Sequence, residues 1–191
     1  DDTAEGEASY FANTYVGASA HVFVDEDTVC HSVPYCNRAW AVGANEDEYK
    51  HPYCRNWNSV SVEMCTKWAD PKDDETEGHY YIDPKVISNT IDLVHELMDR
   101  FGVDIDHVLM HAGPHPDSVV VPEVKLCPAP FQNDWAQWDD FKNRLIHYGE
   151  QPEEPEEKPE EDEEMTYNSI DEVPEYGRDI IKSLVEKEVI K

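Results

Sequence analysis

The sequence predicts an α/β fold, a mixed central β-sheet with helices packed against it, and three stretches carry that expectation. Ser59 to Cys65 alternates: Val60, Val62 and Met64 share one face, and Ser59, Ser61, Glu63 and Cys65 the other, which is the period of a strand. Ala20 to Val24 and Thr28 to Val33 flank Asp25-Glu26-Asp27 and read as a β-hairpin. Asp83 has the chemistry of an N-cap, Pro84 suits a first helical position, and Ile87, Ile91, Val94, Met98 and Phe101 follow at helical spacing. Gly102 then offers the left-handed residue that ends a helix.

The remaining elements follow in chain order. Residues 1–19 open acidic, then place Ala8, Tyr10, Phe11 and Tyr15 at loosely helical spacing before Gly17, so a short helix is expected from about Gly6. Ala44 to Asn58 is polar and aromatic without a period and reads as a loop; Ala69 to Gly78 reads as an acidic one. Asp106 to Met110 is a short apolar run, expected to be a buried strand that delivers His111 at its end. Gly113, Pro114 and Pro116 then break regular structure, and a loop should return through Lys125-Leu126-Cys127-Pro128. A second helix is expected over Asp134 to His147, with Trp135, Trp138, Phe141 and Leu145 on its core stripe. Residues 150–165, rich in Glu and Pro, self-repel and read as an extended linker. Residues 166–191 have an amphipathic ending from about Val173 and read as the start of a small helical module.

Composition narrows the function classes. A chain of 191 residues suffices for one core with an appendage. Its formal net charge of -28 repels phosphate, which excludes nucleic acid and anionic membranes as expected partners. Five Trp, ten Tyr and five Phe supply the large apolar groups that a disordered chain lacks. No apolar run reaches the roughly 18 residues of a membrane span, and no recognisable signal peptide opens the chain, so cytoplasmic synthesis is expected. The chain starts at Asp1 without an initiator Met and reads as a processed or truncated piece. Five cysteines are an odd count, and free buried thiols are favoured over disulfides.

His111 and Cys127, on either side of one loop, are the candidate metal ligands. Imidazole and thiolate are borderline-soft donors that suit Zn2+, and a catalytic zinc keeps three protein ligands and one open position. A third ligand must therefore come from elsewhere. Each residue also has an ordinary reading: a hydrogen-bonded His at a strand end, a small buried Cys, and, for Glu63, the wet face of an antiparallel strand. A separate zinc site of Cys30, Cys36, His51 and Cys54 can be drawn, but its spacing fits no standard ligand pattern.

Taken together, the motifs have a family character. Ser19-Ala20-His21 with Val24-Asp25, Ala39-Trp40 with Gly43, the strand Asn58-Ser-Val-Ser-Val-Glu-Met-Cys65, His111, and Lys125-Leu126-Cys127-Pro128 stand in this order. The arrangement resembles the type 2 N-acetylmuramoyl-L-alanine amidases, notably phage endolysins, and extends from about Gly6 to Ile146. The resemblance implies an amidase/peptidoglycan-recognition-like fold over residues 1–149. It also implies zinc-dependent hydrolysis of the amide between N-acetylmuramic acid and L-alanine in bacterial peptidoglycan, acting at the cell wall. Within it, His111 and Cys127 are zinc ligands, Glu63 is the catalytic base and Lys125 stabilises the oxyanion. The remaining ligand it implies is a His on a strand preceding residue 1. The gap between His111 and Cys127 is longer than the family's usual one. A non-catalytic peptidoglycan-binding module is the alternative, because related recognition proteins keep the groove and lose the metal thiolate; an acidic interaction protein that works through its linker is a further one.

Overall fold

Strand β1 (Val22–Val24) is the centre of the architecture because both of its faces are covered. The computed structural model describes residues 3–68, 80–121 and 126–150. β1 pairs antiparallel with β2 (Val29–His31), Phe23 opposite Cys30, forming the hairpin expected from the sequence. On its other edge it pairs parallel with β3 (Val62–Met64), Phe23 opposite Glu63. The sheet is therefore mixed, in the order β2-β1-β3. Two short ladders accompany it: β4 (Lys67–Trp68) antiparallel to β5 (Tyr80–Tyr81), and β6 (Met110–Ala112) parallel to β7 (Ser118–Val120).

The pleat of β1 sorts the core into two layers. Val22 and Val24 point toward α2 (Pro84–Phe101) and α4 (Trp135–Ile146), joining Val86, Ile91, Leu97, Trp138, Phe141 and Leu145. Phe23 points the other way, toward α1 (Ala4–Asn13), where it meets Ala4, Ala20, Cys65 and the ring of Phe11 at 5.3 Å. Each such side chain contributes about 1.5–3 kcal/mol by leaving water, so one strand anchors helices on both sides.

Local chemistry sets the helix ends. Thr3 caps α1, its hydroxyl accepting from Gly6 N at 3.1 Å, so the helix starts two residues before the expected Gly6. The buried carboxylate of Asp25 accepts from Ala4 N at 2.8 Å, Asp27 N at 2.8 Å and Thr28 N at 2.6 Å, tying α1 to the hairpin turn. α2 is the helix the sequence predicts: Asp83 accepts from Lys85 N at 2.8 Å, and Gly102 ends it at φ 63°.

Three expectations are corrected. The strand expected over Asp106–Met110 gives way to a 3-10 turn, Ile105–His107, because the Asp104 side chain caps it by accepting from Asp106 N at 3.1 Å. The strand starts later, so His111 lies in the middle of β6 and not at its end. The loop after it contains β7, a fully buried Ser-Val-Val that the surrounding prolines obscure in the sequence. Trp135, placed on the core stripe of α4, is 45% exposed: at the first position of the helix it overhangs the core and meets the His115 ring edge-on at 4.9 Å. A third helix, α3 (Ala129–Asn133), leads into α4.

All five cysteines are free thiols. Among the described residues no helix is long and apolar enough to cross a membrane. The chain divides after Gly149. The acidic loop over 69–78, the linker beyond Glu150 and the helical module over 166–191 lie outside the described residues.

Candidate active site

Glu63 is the central residue of β3 and its side chain is exposed, whereas Val62 and Met64 on either side pack against the main core. The β1 register fixes its backbone, and a second tie lies two residues upstream. His21 Nδ1 accepts from Ser61 N at 3.0 Å, while Ser61 Oγ accepts from His21 N at 3.1 Å. With Nδ1 accepting, the ring proton sits on Nε2, which donates to Asn37 O at 3.2 Å. His21 is thus a buried clamp on the strand that carries Glu63.

His111 is flanked by buried Met110 and Ala112 and is itself half-buried. Cys127 arrives beside it through a mutual backbone pair: Ala112 N donates to Cys127 O at 3.0 Å and Cys127 N to Ala112 O at 2.8 Å. The peptide bond to Pro128 is cis, and α3 follows. The bridge therefore sets Cys127 opposite Ala112, the residue that follows His111, although a long loop separates the two stretches in sequence.

Glu63, His111 and Cys127 all line one cleft of about 1230 Å³. Its floor is apolar, with Leu97, Met98, Met110, Trp138 and Phe141, and exposed Tyr53 (74%) and Trp57 (67%) stand on its wall. Of the residues predicted from the sequence, the structure brings these three together; Lys125 lies outside the described residues. The donor types of His111 and Cys127 fit zinc, but among the described residues no group of three His, Cys, Asp or Glu is arranged to hold a metal ion. His115, the histidine nearest the pair in sequence, is not among the residues lining the cleft, and its Nδ1 accepts from Asp117 N at 3.1 Å. The drawn set of Cys30, Cys36, His51 and Cys54 is not assembled either. Cys30 packs beside Phe23, and Cys54 beside β6 and β7.

His51, one of the histidines the sequence offers as a further ligand, is a cleft residue. Its Nδ1 accepts from Cys54 N at 2.9 Å and Tyr53 N at 3.3 Å, leaving the proton on Nε2. Burial, helped by His107 and Arg55, pushes its pKa below the ordinary value, so at neutral pH it is an uncharged hydrogen-bond donor. The only signal for it in the sequence is the clustering of His51, Tyr53 and Trp57 in an aperiodic stretch.

Comparison with known proteins identifies the family. The model of the Amidase_2 family, N-acetylmuramoyl-L-alanine amidase, matches residues 1–130. The chain is 30% identical over 154 residues to the N-acetylmuramoyl-L-alanine amidase BlyA of Bacillus subtilis (strain 168), an alignment covering 74% of this chain and 37% of BlyA. It is 27% identical over 150 residues to the N-acetylmuramoyl-L-alanine amidase CwlL of Bacillus licheniformis, covering 75% of this chain and 37% of CwlL. The chain thus spans little more than a third of the length of these curated relatives. Among solved structures it is similar to the PlyG catalytic domain, with a TM-score of 0.54 and 26% identity over 77% of this chain and 74% of that one. PlyL is similar too, with a TM-score of 0.50 and 26% identity over 76% of both chains. The α/β architecture and the family match over residues 1–130 agree: this chain belongs to the N-acetylmuramoyl-L-alanine amidase family.

Proposed function

We propose that this chain is a zinc-dependent hydrolase of the amide between the lactyl group of N-acetylmuramic acid and the L-alanine of the stem peptide, acting at the bacterial cell wall. The observation that carries the proposal is the convergence of Glu63, His111 and Cys127, from three separate elements, on one cleft. His111 and Cys127 would hold the zinc. When bound, zinc polarises the amide carbonyl and brings the pKa of water toward ~7.

The chain's own groups do the rest. Glu63 reaches into the cleft from an exposed position, accepts the proton of the attacking water and delivers it to the leaving nitrogen as the C–N bond breaks. Lys125 supplies an ammonium to the oxyanion, a role that rests on its place in the Lys-x-Cys-Pro motif. His51 Nε2–H is a neutral donor for a substrate oxygen, and Tyr53 and Trp57 offer faces to a sugar ring. Residues 1–149 form the catalytic domain in this reading, residues 150–165 a linker and residues 166–191 a helical module. Peptidoglycan is the partner, and neither nucleic acid nor membrane is one.

The test pairs elemental analysis of the 191-residue protein with release of alanine amino groups from purified peptidoglycan. Near-stoichiometric zinc in the native chain, lost in Cys127→Ser, supports the metal assignment. Glu63→Ala should lower hydrolysis about 10²–10⁴-fold and keep its zinc, as expected of a base; loss of metal in that variant would contradict the role. A non-catalytic peptidoglycan-binding module is the second reading, favoured by the count of two donors among the described residues. Peptidoglycan binding without zinc and without amino-group release would establish it.

A further inference from the structure

The wall of the cleft that carries His111 has an unusual support. Tyr49 pairs antiparallel with Val120, Lys50 N donates to Val119 O at 2.8 Å, and Val121 N donates to Glu48 O at 2.9 Å. Residues 48–51 therefore run along the outer edge of β7. From there the Lys50 side chain crosses to the turn that joins β6 to β7. Its Nζ donates to the carbonyls of Gly113 at 3.0 Å, Pro114 at 3.1 Å and His115 at 2.8 Å. An ammonium has three N–H groups, and all three are committed to consecutive main-chain oxygens.

This arrangement is selective. The chain carries 43 Asp and Glu against 15 Lys and Arg, yet Lys50 makes no ion pair among the described residues. The turn also needs an outside donor: Pro114 and Pro116 have no N–H, so it can build little ladder of its own. Its far half is held by other groups. His115 Nδ1 accepts from Asp117 N, and the Asp117 carboxylate accepts from Trp138 Nε1 at 2.8 Å and Lys142 Nζ at 3.0 Å. In the near half, which begins two residues after His111, Gly113 N donates to Val120 O at 3.2 Å, while the carbonyls of residues 113–115 are gathered by Lys50.

We infer that Lys50 is a positioning residue for His111: its ammonium gathers the carbonyls of residues 113–115 and so fixes the imidazole in the cleft wall. Lys50 acts through the turn and touches no reacting atom. The catalytic consequence rests on the amidase reading above, while the effect on the turn does not.

The full chain is compared with Lys50→Met and Lys50→Arg by amide hydrogen exchange, His111 ring resonances, melting temperature and hydrolysis of a soluble N-acetylmuramoyl-peptide. In Lys50→Met, exchange at Gly113, Asp117 and Ser118, whose N–H groups are hydrogen-bonded, should rise about 10-fold or more while the amides of α2 stay unchanged. The His111 resonances should shift, and kcat should fall about 10–100-fold with a smaller change in KM. Lys50→Arg should recover part of both. Unchanged exchange in the turn overturns the inference. So does faster exchange with an intact kcat, or a loss of protection that spreads equally into α2, since either marks a merely structural strap. If Lys50→Met does not fold, Lys50→Gln is read in its place by the same criteria. A native chain that releases no amino groups sinks the amidase reading alone; the turn and the His111 resonances then decide, and unmoved resonances overturn the inference.

Discussion

β3 and β6 each present one candidate site residue from the middle of a three-residue strand, yet their surroundings are held in different ways. Glu63 is placed by sheet register: β1 pairs beside it, His21 clamps Ser61, and Phe23 supports the ladder from the α1 layer. His111 belongs to a two-stranded ladder whose connecting turn is held by side chains that arrive from distant parts of the sequence. Strand register shifts as a whole, carrying every side chain with it, whereas the ties on the turn come from separate parts of the chain and can be substituted one by one. The Glu63 wall should therefore respond to core damage, and the His111 wall to local substitutions.

The largest expected effect is on the Glu63 side. Phe23→Ala removes the buried ring between α1 and the sheet and should cost about 3–5 kcal/mol in chemical denaturation. A loss under about 1 kcal/mol would mean that register does not depend on that layer. On the His111 side, Gly113→Ala introduces a Cβ that falls inside the buried Gln132 side chain, at φ 155°. It should cost about 1–3 kcal/mol. Its exchange signature should be confined to β6, β7 and their turn, and destabilisation reaching β1 equally would erase the contrast.

The smallest effect separates the walls by pH. Burial pushes the Asp25 carboxyl up, but the N–H groups of Ala4, Asp27 and Thr28 and the nearby Lys67 charge outweigh it and hold its pKa below 3.8. For Asp117, burial is outweighed by the Trp138 and Lys142 hydrogen bonds and the charges of Lys142 and His115, again giving a lowered pKa. A depressed folded pKa means stability that is present above about 3.8 and lost as pH falls through the folded value. Asp25→Asn and Asp117→Asn should each flatten part of the acid limb in pH-dependent melting. Added salt should weaken the Asp117 contribution more, since it includes an ion pair with Lys142, whereas Asp25 relies chiefly on backbone N–H groups.

What was legible in the sequence follows the same division. α2 is readable because its cap, its proline and its terminal glycine are local signals, and the hairpin because two β-rich runs flank a polar turn. β7 is not, because three residues among prolines carry no period, and its identity comes from pairing with β6. Trp135 misleads because the helical period says nothing about where the core ends. Glu63, His111 and Cys127 are recoverable as members of a family pattern, since each alone has an ordinary explanation. The contacts of Lys50 and His51 are invisible, because the first reach residues more than sixty positions away and the second depend on local turn geometry.

The mutual hydrogen bonds between Ala112 and Cys127 have a consequence for how such sites are recognised. They close the intervening segment at its base, so the pairing of its two ends does not depend on how many residues lie between them. A search motif written with a fixed number of positions between histidine and cysteine would pass over this chain; one that lets the spacing float and anchors both ends would retrieve it.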